Sequence, residues 1–444
     1  MPAFLSRDRL TFLHSRITVL IMYNIFYFSN APPLDIPYVK RLIFTLSLVG
    51  SWPHEIMGHK KWFYYLKHPY MLFFIWVTAI YLVVSYSIKN IAEISFLLQG
   101  RQYINVLMCV VCVQRLTMTW TNMYKYTTKE FFTKIHLYYH KDQNDFAMKT
   151  FVDVEKILTF FCAVLHIEII CGVILYSMTP LINSYRRGMF NAIKPANATY
   201  DQASFYDVPF DYTTNFNGFI TIFIITLIFS FDISASVVVF DLYLFVIIFH
   251  LWGHIKILKY NLYNFPKPQM KNIISSIRNP PWYNEEESRT ITNLLVESIE
   301  HYRLIKKFMN EVSTAWGFTI CFYFFFHQIS GCILLVEISQ MTVEAMAAFG
   351  IMTFTLFQQL IQMSIIFELI GTQSETIKDA VYGVPWECMG TKNRKIVLIY
   401  LANVQEPLQL KALGILPVGV QTMASIIKTS ISYFMLLRAS TADK

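Results

Sequence analysis

Four ionisable residues stand inside long apolar stretches of the chain, where charge is unexpected. Lys428 lies near the middle of PVGVQTMASIIKTSISYFMLLRAS (417–440), and no acidic residue lies within two helical turns of it. Asp232, Asp241 and Glu168 lie in three other positions of this kind. Such residues are functional candidates, but each carboxylate is also explained by a structural role, paired with backbone or with a neighbouring helix. The sequence leaves both interpretations open.

The candidate motifs for catalysis or metal binding do not have the residue spacing that such sites need. In HEIMGH (54–59) the histidines are five residues apart, not the four that place two ligands on one helix face. His250 and His254 have the four-residue spacing, but no third ligand is apparent, and this favours two histidines at a membrane interface. We find no phosphate loop, nucleophile elbow or paired carboxylates. The sequence predicts a protein that is not an enzyme and holds no metal or cofactor.

The composition is that of an integral membrane protein. Of the 444 residues, 55% are hydrophobic and 15% are charged, whereas soluble domains are roughly 45–50% apolar and about 25% charged. Several apolar runs of about 20 residues predict an all-α protein with several spans. We expect no partnership with nucleic acid.

Seven candidate spans follow from the apolar runs, together with short membrane-surface or re-entrant stretches before them, such as LIFTLSLVGSW (42–52). The first begins after a cytosolic segment, residues 1–68. The predicted spans are 71–86, one within 91–120, 157–182, 219–249, 315–336, 345–370 and 417–437. A further helical stretch, KIVLIYLANVQ (395–405), is too short to cross.

The distribution of positive charge predicts the orientation. Most of the 37 lysines and arginines fall in the N-terminal segment, in the loops after spans two, four and six, and on the approach to span five. Cytoplasmic loops collect these residues. We therefore expect an inverted topology, with a cytosolic N-terminus and, after seven crossings, an extracellular C-terminus. The glycosylation sequon at Asn197 then lies outside, on the side where glycosylation occurs, which gives modest support because sequons also arise by chance.

Polar side chains form a stripe on the last helix. Gln421, Ser425, Lys428 and Ser432 lie within about 60° of one another at 100° per residue. A lysine facing lipid at the bilayer centre costs roughly 2.5–3.5 kcal/mol, so the stripe should face protein or water. Two interpretations remain: an ordinary helix–helix interface, or a water-filled path with an apolar constriction at its outer end.

The C-terminal third resembles the insect odorant receptor family. The resemblance rests on TQSETIKDAVYGVPWECM (372–389), on the final-helix pattern IIKTSISYFMLLR (426–438), and on LLVESIEHYRLIKKF (294–308). GVPWECM and GVQTMASIIKTS are most similar to the moth sex-pheromone receptor branch. The family's coreceptor carries a long insertion after span four, which 250–290 lacks, so the resemblance implies a ligand-tuning subunit.

The resemblance implies a ligand-gated, non-selective cation channel. A tuning subunit assembles with coreceptor subunits into a heterotetramer in the plasma membrane of sensory-neuron dendrites. It implies four regions: a cytosolic segment 1–68, a ligand-binding helical domain 69–371, a cytosolic anchor region 372–416 with a helix at about 392–412, and a pore helix with its tail, 417–444. The residue after YFM, Leu436, becomes the gate candidate.

The resemblance also places an odorant pocket among spans two, three, four and six, in the outer half of the membrane. The expected ligand is a hydrophobic volatile odorant or pheromone, such as a long-chain alcohol, aldehyde or acetate. Residues 200–212 would cover the pocket or form a plain solvated loop. Candidate pocket residues are His166, Val173, Tyr176, Phe223, Leu227, Phe354 and Phe357.

Other receptor and transport classes compete with this interpretation. A gustatory-type receptor of the same superfamily would form homomeric channels. A G-protein-coupled receptor also has seven helices, but its N-terminus is outside. A transporter should show paired broken helices and internal symmetry, and the sequence shows neither.

Overall fold

The structure, a computed structural model, describes residues 31–58, 68–92, 96–191, 193–195, 198–268, 282–339 and 343–442. Within these ranges the fold is helical, which confirms the predicted all-α class. The helices are α1 Pro37–Leu48, α2 His54–Met57, α3 His68–Lys89, α4 Phe96–Thr119, α5 Asn122–Glu130, α6 Asp145–Arg186, α7 Phe216–Tyr263, α8 Glu285–Ile338, α9 Val343–Glu375, α10 Ile377–Tyr382, α11 Thr391–Asn403 and α12 Val420–Ala442.

Local sequence signals explain where several helices begin. Asn144 caps α6 by accepting a hydrogen bond from the Ala147 N–H (2.8 Å). Asn284 and Glu287 form a reciprocal capping box at the start of α8, with bonds of 2.7 and 2.8 Å. These side chains satisfy backbone N–H groups that have no partner within their own helix.

Three helices are much longer than a bilayer is thick. α6, α7 and α8 have 42, 48 and 54 residues, or about 63, 72 and 81 Å at 1.5 Å per residue, against roughly 30 Å of hydrocarbon. The predicted spans cover only their apolar parts. The polar extensions stay helical because they pack together: α8 buries Ile291, Leu295 and Tyr302 on one face well before its apolar segment starts.

Fewer candidate spans meet length and hydropathy criteria among the described residues than the seven that the sequence predicts. Among the described residues, five helices are long and apolar enough to span a membrane. A sixth is obtained if Gln99–Thr119 and Asn122–Gln143, which meet at 71°, form one bent span. The helix α12 is not among them. The predicted count of seven and the inverted topology stay predictions.

α7 lies at the centre of the bundle. Every residue from Ala235 to Leu251 is buried, and a helix that is apolar on all sides must be enclosed by other helices. α6 packs along its length, and α4, α8, α9 and α1 contact other faces of it.

The segment between α11 and α12 is not helical throughout. The predicted helix 392–412 corresponds to α11, but it ends at Asn403. A hairpin of two-residue strands follows, β1 Lys411–Ala412 and β2 Leu416–Pro417, which pair antiparallel. The turn requires positive φ at Leu413 and Gly414 (53° and 73°), a backbone conformation that helical periodicity does not reveal.

Residues 42–48 of the stretch expected at the membrane surface form the second half of α1. Its 12 residues span about 18 Å, too little to cross a bilayer. α1 packs its buried face against α6 and α7. Residues 1–30 and 59–67 of the predicted segment 1–68 lie outside the described residues.

A buried ion pair holds four helices together. Arg115 of α4, 2% exposed, donates from Nη2 to Asp241 Oδ1 of α7 (2.8 Å). Arg115 Nη1 donates to the Val237 carbonyl. The Tyr323 hydroxyl of α8 donates to the other carboxylate oxygen (3.1 Å) and lies 3.5 Å from Gln359 Oε1 of α9. Asp241 thus has a structural partner that the sequence did not identify.

Removing one partner of this ion pair should destabilise the fold strongly. We expect Asp241→Leu and Arg115→Met each to lower stability by about 3–5 kcal/mol, because either leaves an unmatched buried charge. The double variant Arg115→Met/Asp241→Leu should recover most of that loss. Thermal unfolding of the detergent-purified protein measures this, with Arg289→Met as the control, since the Arg289–Glu285 pair is exposed. Additive losses in the double variant would contradict the prediction.

Candidate functional site

The helices enclose a cavity of about 230 Å³. Its lining comes from α3, α4, α6, α7, α8 and α9, and from a loop that follows α6. The sequence predicted four of these helices, α4, α6, α7 and α9, and missed the contributions of α3 and α8. The walls are apolar, with Ile104, Met108, Val173, Phe229 and Leu356 among them. A space of this size holds a small organic molecule rather than a single water.

Residues 200–212 form a roof over this cavity. Ala203, Ser204 and Tyr206 line the cavity directly, and Gln202 is completely buried. Gly218 at the start of α7 permits the close approach of this segment, since a Cβ there would lie 2.1 Å from the Asp211 carbonyl oxygen. The alternative of a plain solvated loop is therefore wrong.

Buried side chains of α4 hold the roof in place. Gln102 donates to the Phe205 carbonyl (2.8 Å) and accepts from the Ser204 hydroxyl (3.0 Å) and the Phe205 N–H (3.3 Å). Arg101 donates to the Gln202 carbonyl (3.1 Å). These bonds satisfy backbone groups that would otherwise be buried without partners.

The rim of the roof carries an ion pair with α3. Lys89 and Ser85 both donate to Asp207. The hydrogen bond from Lys89 lowers the pKa of Asp207 below its usual value. A lowered carboxylate pKa stabilises the folded state at neutral pH, and this contribution is lost as the pH falls through that pKa.

Polar side chains also form the floor of the cavity. Glu168 and Gln359 both line it, and Gln359 Nε2 donates to Glu168 Oε1 (3.4 Å). Through Gln359 and Tyr323 the floor connects to the Arg115–Asp241 ion pair. On the opposite side, the Tyr176 hydroxyl lies within hydrogen-bonding distance of Asn105 Oδ1 (3.1 Å) and the Ala203 carbonyl (3.0 Å). Of the carboxylates that the sequence singled out, Glu168 therefore lines the cavity. Asp232 does not line it, and its carboxylate accepts a hydrogen bond from Trp76 Nε1 (2.8 Å).

Two of the seven predicted pocket residues, Val173 and Tyr176, line this cavity. His166 lies in a separate groove, where its Nε2 is 2.9 Å from the Thr45 hydroxyl. Phe354 is 72% exposed on the outside of the bundle. The Phe223 ring lies next to the Phe219 ring. Leu227 is half-buried and lies beside the residues that line the cavity. Phe357 packs near Gly331 of α8.

The predicted positions on α7 and α9 are rotated off the cavity-lining face. On α7 the lining residues include Thr226 and Ser230, so Leu227 is one position, or about 100°, away. On α9 they include Leu356 and Gln359, and Phe357 is likewise one position off. The prediction favoured aromatic residues, whereas the cavity face of α7 carries Thr226 and Ser230 and that of α9 carries Leu356 and Gln359.

The predicted stripe on α12 faces away from the rest of the chain. Gln421, Ser425, Lys428 and Ser432 are exposed, as is Leu436, at 65%. The opposite face, with Ile426 and Ser430, packs against α8 and α9. A hydrogen bond joins the Gln328 side chain of α8 to the Ser430 hydroxyl (3.0 Å). The stripe therefore forms no interface with the part of the chain that the structure describes. Asn197 lies outside the described residues.

His250 and His254 are buried inside the helix bundle, and their predicted position at a membrane interface stays a prediction. His250 Nδ1 accepts from the Leu137 N–H (3.2 Å), and His254 Nδ1 lies 2.9 Å from His301 Nε2. The contact of His250 joins the turn after α5 to α7, and the contact of His254 joins α7 to α8. In the part of the chain that the structure describes, no three histidine, cysteine or acidic side chains are arranged to hold a metal ion.

Comparison with known proteins identifies a family. The model of the family described as 7tm Odorant receptor matches residues 100–431. The fold is similar to that of the insect olfactory receptor OR5 from Machilis hrabei, with a TM-score of 0.68, 14% identity, and coverage of 90% of this chain and 97% of that chain. The structure of the same receptor in complex with eugenol matches with the same TM-score and coverage, at 13% identity. A sequence comparison with curated proteins finds no significant match.

Loss of the Gln102 side-chain bonds should loosen the roof. In Gln102→Leu three buried polar groups lose their partner, at about 1–3 kcal/mol each. We expect faster hydrogen–deuterium exchange in the peptide containing residues 203–206. Gln362→Leu is the matched control, because Gln362 bonds to Gln358 on its own helix. Unchanged exchange in the Gln102 variant would show that the roof is held by other contacts.

Proposed function

Since the chain belongs to the 7tm odorant receptor family, we propose that it is the ligand-tuning subunit of an odorant-gated, non-selective cation channel. Its partner would be the family's coreceptor subunit, in a heterotetramer. The observation that carries this proposal is the apolar cavity with its polar roof and floor, together with the exposed polar stripe on α12.

The cavity favours an uncharged, mostly hydrophobic ligand. Its walls are apolar, and its charged lining residues already have partners: Arg101 bonds to the roof and Glu168 to Gln359. Burial contributes about 0.8 kcal/mol per CH₂ group, so an alkyl chain binds mainly by leaving water. The Tyr176 hydroxyl and the Asn105 amide supply polar atoms for one oxygen-containing group. A long-chain alcohol, aldehyde or acetate fits this chemistry, in keeping with the resemblance to pheromone receptors.

The proposed orientation puts the roof outside the cell. The positive-inside bias of the loops argues for a cytosolic N-terminus, and the roof then faces the extracellular medium from which odorants arrive. The location would be the plasma membrane of sensory-neuron dendrites.

The exposed stripe on α12 supports a pore-lining role. Among the described residues Lys428 has no partner that would explain a lysine at bilayer depth, because these residues pack on the other side of the helix. In a ring of subunits this face would border water, with Leu436 as an apolar constriction near the outer end. One lysine among coreceptor helices that lack it would be tolerated, whereas four around one path would repel cations.

α9 provides a direct mechanical link between cavity and pore. One face of it lines the cavity through Leu356 and Gln359, and the same helix contacts α12. A ligand that displaces Gln359 therefore acts on a helix that touches the pore helix. The cavity and the pore would be coupled if α9 and α12 pack in two discrete arrangements and the ligand favours one of them.

The region proposed as the anchor offers an interface for other subunits. Leu398 and Ile399 of α11 are 66% and 64% exposed, and Tyr382 of α10 is 62% exposed. Adjacent exposed apolar side chains of this size, outside the lipid, are typical of a protein–protein contact.

Coexpression tests the proposed function. Cells expressing this chain with a coreceptor should pass cation currents in response to some members of a panel of long-chain alcohols, aldehydes and acetates. Cells expressing either chain alone should not respond to the same compounds. Currents from this chain alone would favour the homomeric, gustatory-type alternative, and staining of a C-terminal tag only after permeabilisation would reject the orientation.

Filling the cavity from Gly172 should shift the response towards shorter ligands. A Cβ at this position meets no atom within 4 Å, and Gly172 lines the cavity. We expect Gly172→Leu to raise the half-maximal concentration of the longest agonist at least tenfold and to affect shorter homologues less. Cys171→Leu is the control, because Cys171 is exposed next to it and does not line the cavity. Equal shifts for both variants would contradict the assigned site.

Removing the charge of Lys428 should change ion permeation. With the coreceptor present, Lys428→Gln is expected to raise single-channel conductance, because the barrier from one positive charge disappears. The matched control is Lys411→Gln, on the hairpin before α12. An unchanged conductance would favour an interface role for the stripe.

A further inference from the structure

A second cavity, of about 330 Å³, lies on the outside of the bundle between α1, α6 and α7. We call it the N-terminal groove. Its apolar wall includes Phe44 and Leu48 of α1, Ile170 of α6 and Phe231 of α7, and Lys40 and Arg41 lie at one end. It shares the α6 residue Ile169 with the ligand cavity but opens on another side of the helix.

The apolar wall of the groove is exposed at membrane depth. Phe44, Ile170 and Phe231 are 56%, 54% and 40% exposed. Ile170 and Phe231 belong to the apolar segments of α6 and α7, both of which are long and apolar enough to cross a membrane. In a bilayer this surface contacts hydrocarbon, so a lipid acyl chain is the natural occupant.

The positive charge at the basic end of the groove is not neutralised by a strong ion pair with the described residues. Arg41 forms no ion pair with any described residue. Lys40 pairs with Asp35 at 3.0 Å, but both side chains are more than half exposed (60% and 55%), and such pairs are weak. A phosphate bound here would meet two basic side chains and one displaceable carboxylate.

Along α1 the basic side chains come first and the apolar side chains follow, which is the order of a lipid headgroup and its acyl chain. Lys40, Arg41, Phe44 and Leu48 lie on its outward side, while its other side is buried against α6 and α7. Arg41 and Leu48 are seven residues, about 10 Å, apart. A partly buried contact between the Thr45 hydroxyl and His166 Nε2 lies at the back of the groove (2.9 Å).

We propose that the N-terminal groove binds an anionic phospholipid, with the headgroup phosphate on Lys40 and Arg41 and an acyl chain along Phe44, Ile170 and Phe231. Basic residues at a membrane surface beside a cleft between helices select anionic over zwitterionic headgroups. In the proposed orientation this end of the groove lies on the cytosolic side, where anionic lipids are abundant. The inference does not depend on the odorant or on channel activity.

Photolabelling of the full-length chain in lipid nanodiscs tests the proposal. The probe is phosphatidylserine with a diazirine on one acyl chain, and labelled peptides are identified by mass spectrometry. We expect labelling of the segments containing Phe44, Ile170 or Phe231. Lys40→Gln/Arg41→Gln should reduce that labelling at least fivefold, and the corresponding phosphatidylcholine probe should label weakly in either protein.

Two further variants make the test specific. Lys149→Gln/Lys156→Gln removes the same charge from exposed positions of α6 outside the groove, and should leave labelling within twofold of the unmodified chain. Ile170→Trp keeps both cations but fills the groove, and should also reduce labelling. The proposal would be overturned if both lipid probes labelled the groove equally, or if Lys149→Gln/Lys156→Gln reduced labelling as much as Lys40→Gln/Arg41→Gln. It would also be overturned if the groove stayed unlabelled because the chain's own N-terminal residues cover it.

Discussion

A guanidinium group at the centre of an apolar helical bundle must be matched by a carboxylate, and in this chain the match is made between Arg115 and Asp241. The Val237 carbonyl and the Tyr323 hydroxyl add hydrogen bonds to the pair, but either charge without the other would be buried without a counterion. The pair fixes α4 against α7, and Tyr323 adds α8 to the same point. Gln359 then brings in α9, and its bond to Glu168 brings in α6. Five helices from distant parts of the sequence therefore share one polar centre.

The cavity lies where this polar centre meets a second one. Below it are Gln359 and Glu168, and above it Gln102 and Arg101 hold the roof. Between these two polar layers the walls are apolar. Such an arrangement leaves little uncompensated charge for a ligand to neutralise. The shape of the cavity and one or two hydrogen bonds would then decide which molecule fits it. Any ligand large enough to fill the space also presses on side chains that belong to the network holding the helices together.

Particular residues show where inference from sequence worked and where it failed. The stripe of Gln421, Ser425, Lys428 and Ser432 follows from helical periodicity alone, and the structure places all four on one exposed face. Val173 and Tyr176 line the cavity as expected, but Leu227 and Phe357 miss it by one position. Hydropathy does not separate these cases, because a helix in lipid is apolar on the outside as well as towards its neighbours. Periodicity finds a face only where polar and apolar residues segregate.

The sequence by itself determined the class of the molecule and the approximate position of its main helices, since apolar runs of about 20 residues have few alternatives in a membrane. It also determined that charge inside those runs needed an explanation. Only the tertiary structure decided what the explanation was: Arg115 and Asp241 are 126 residues apart in the chain, and no local pattern connects them. The same holds for the roof, because a polar, aromatic loop is buried only when distant side chains such as Gln102 satisfy its backbone. Local sequence fixes periodicity and charge, whereas partners are chosen by packing between segments remote in sequence.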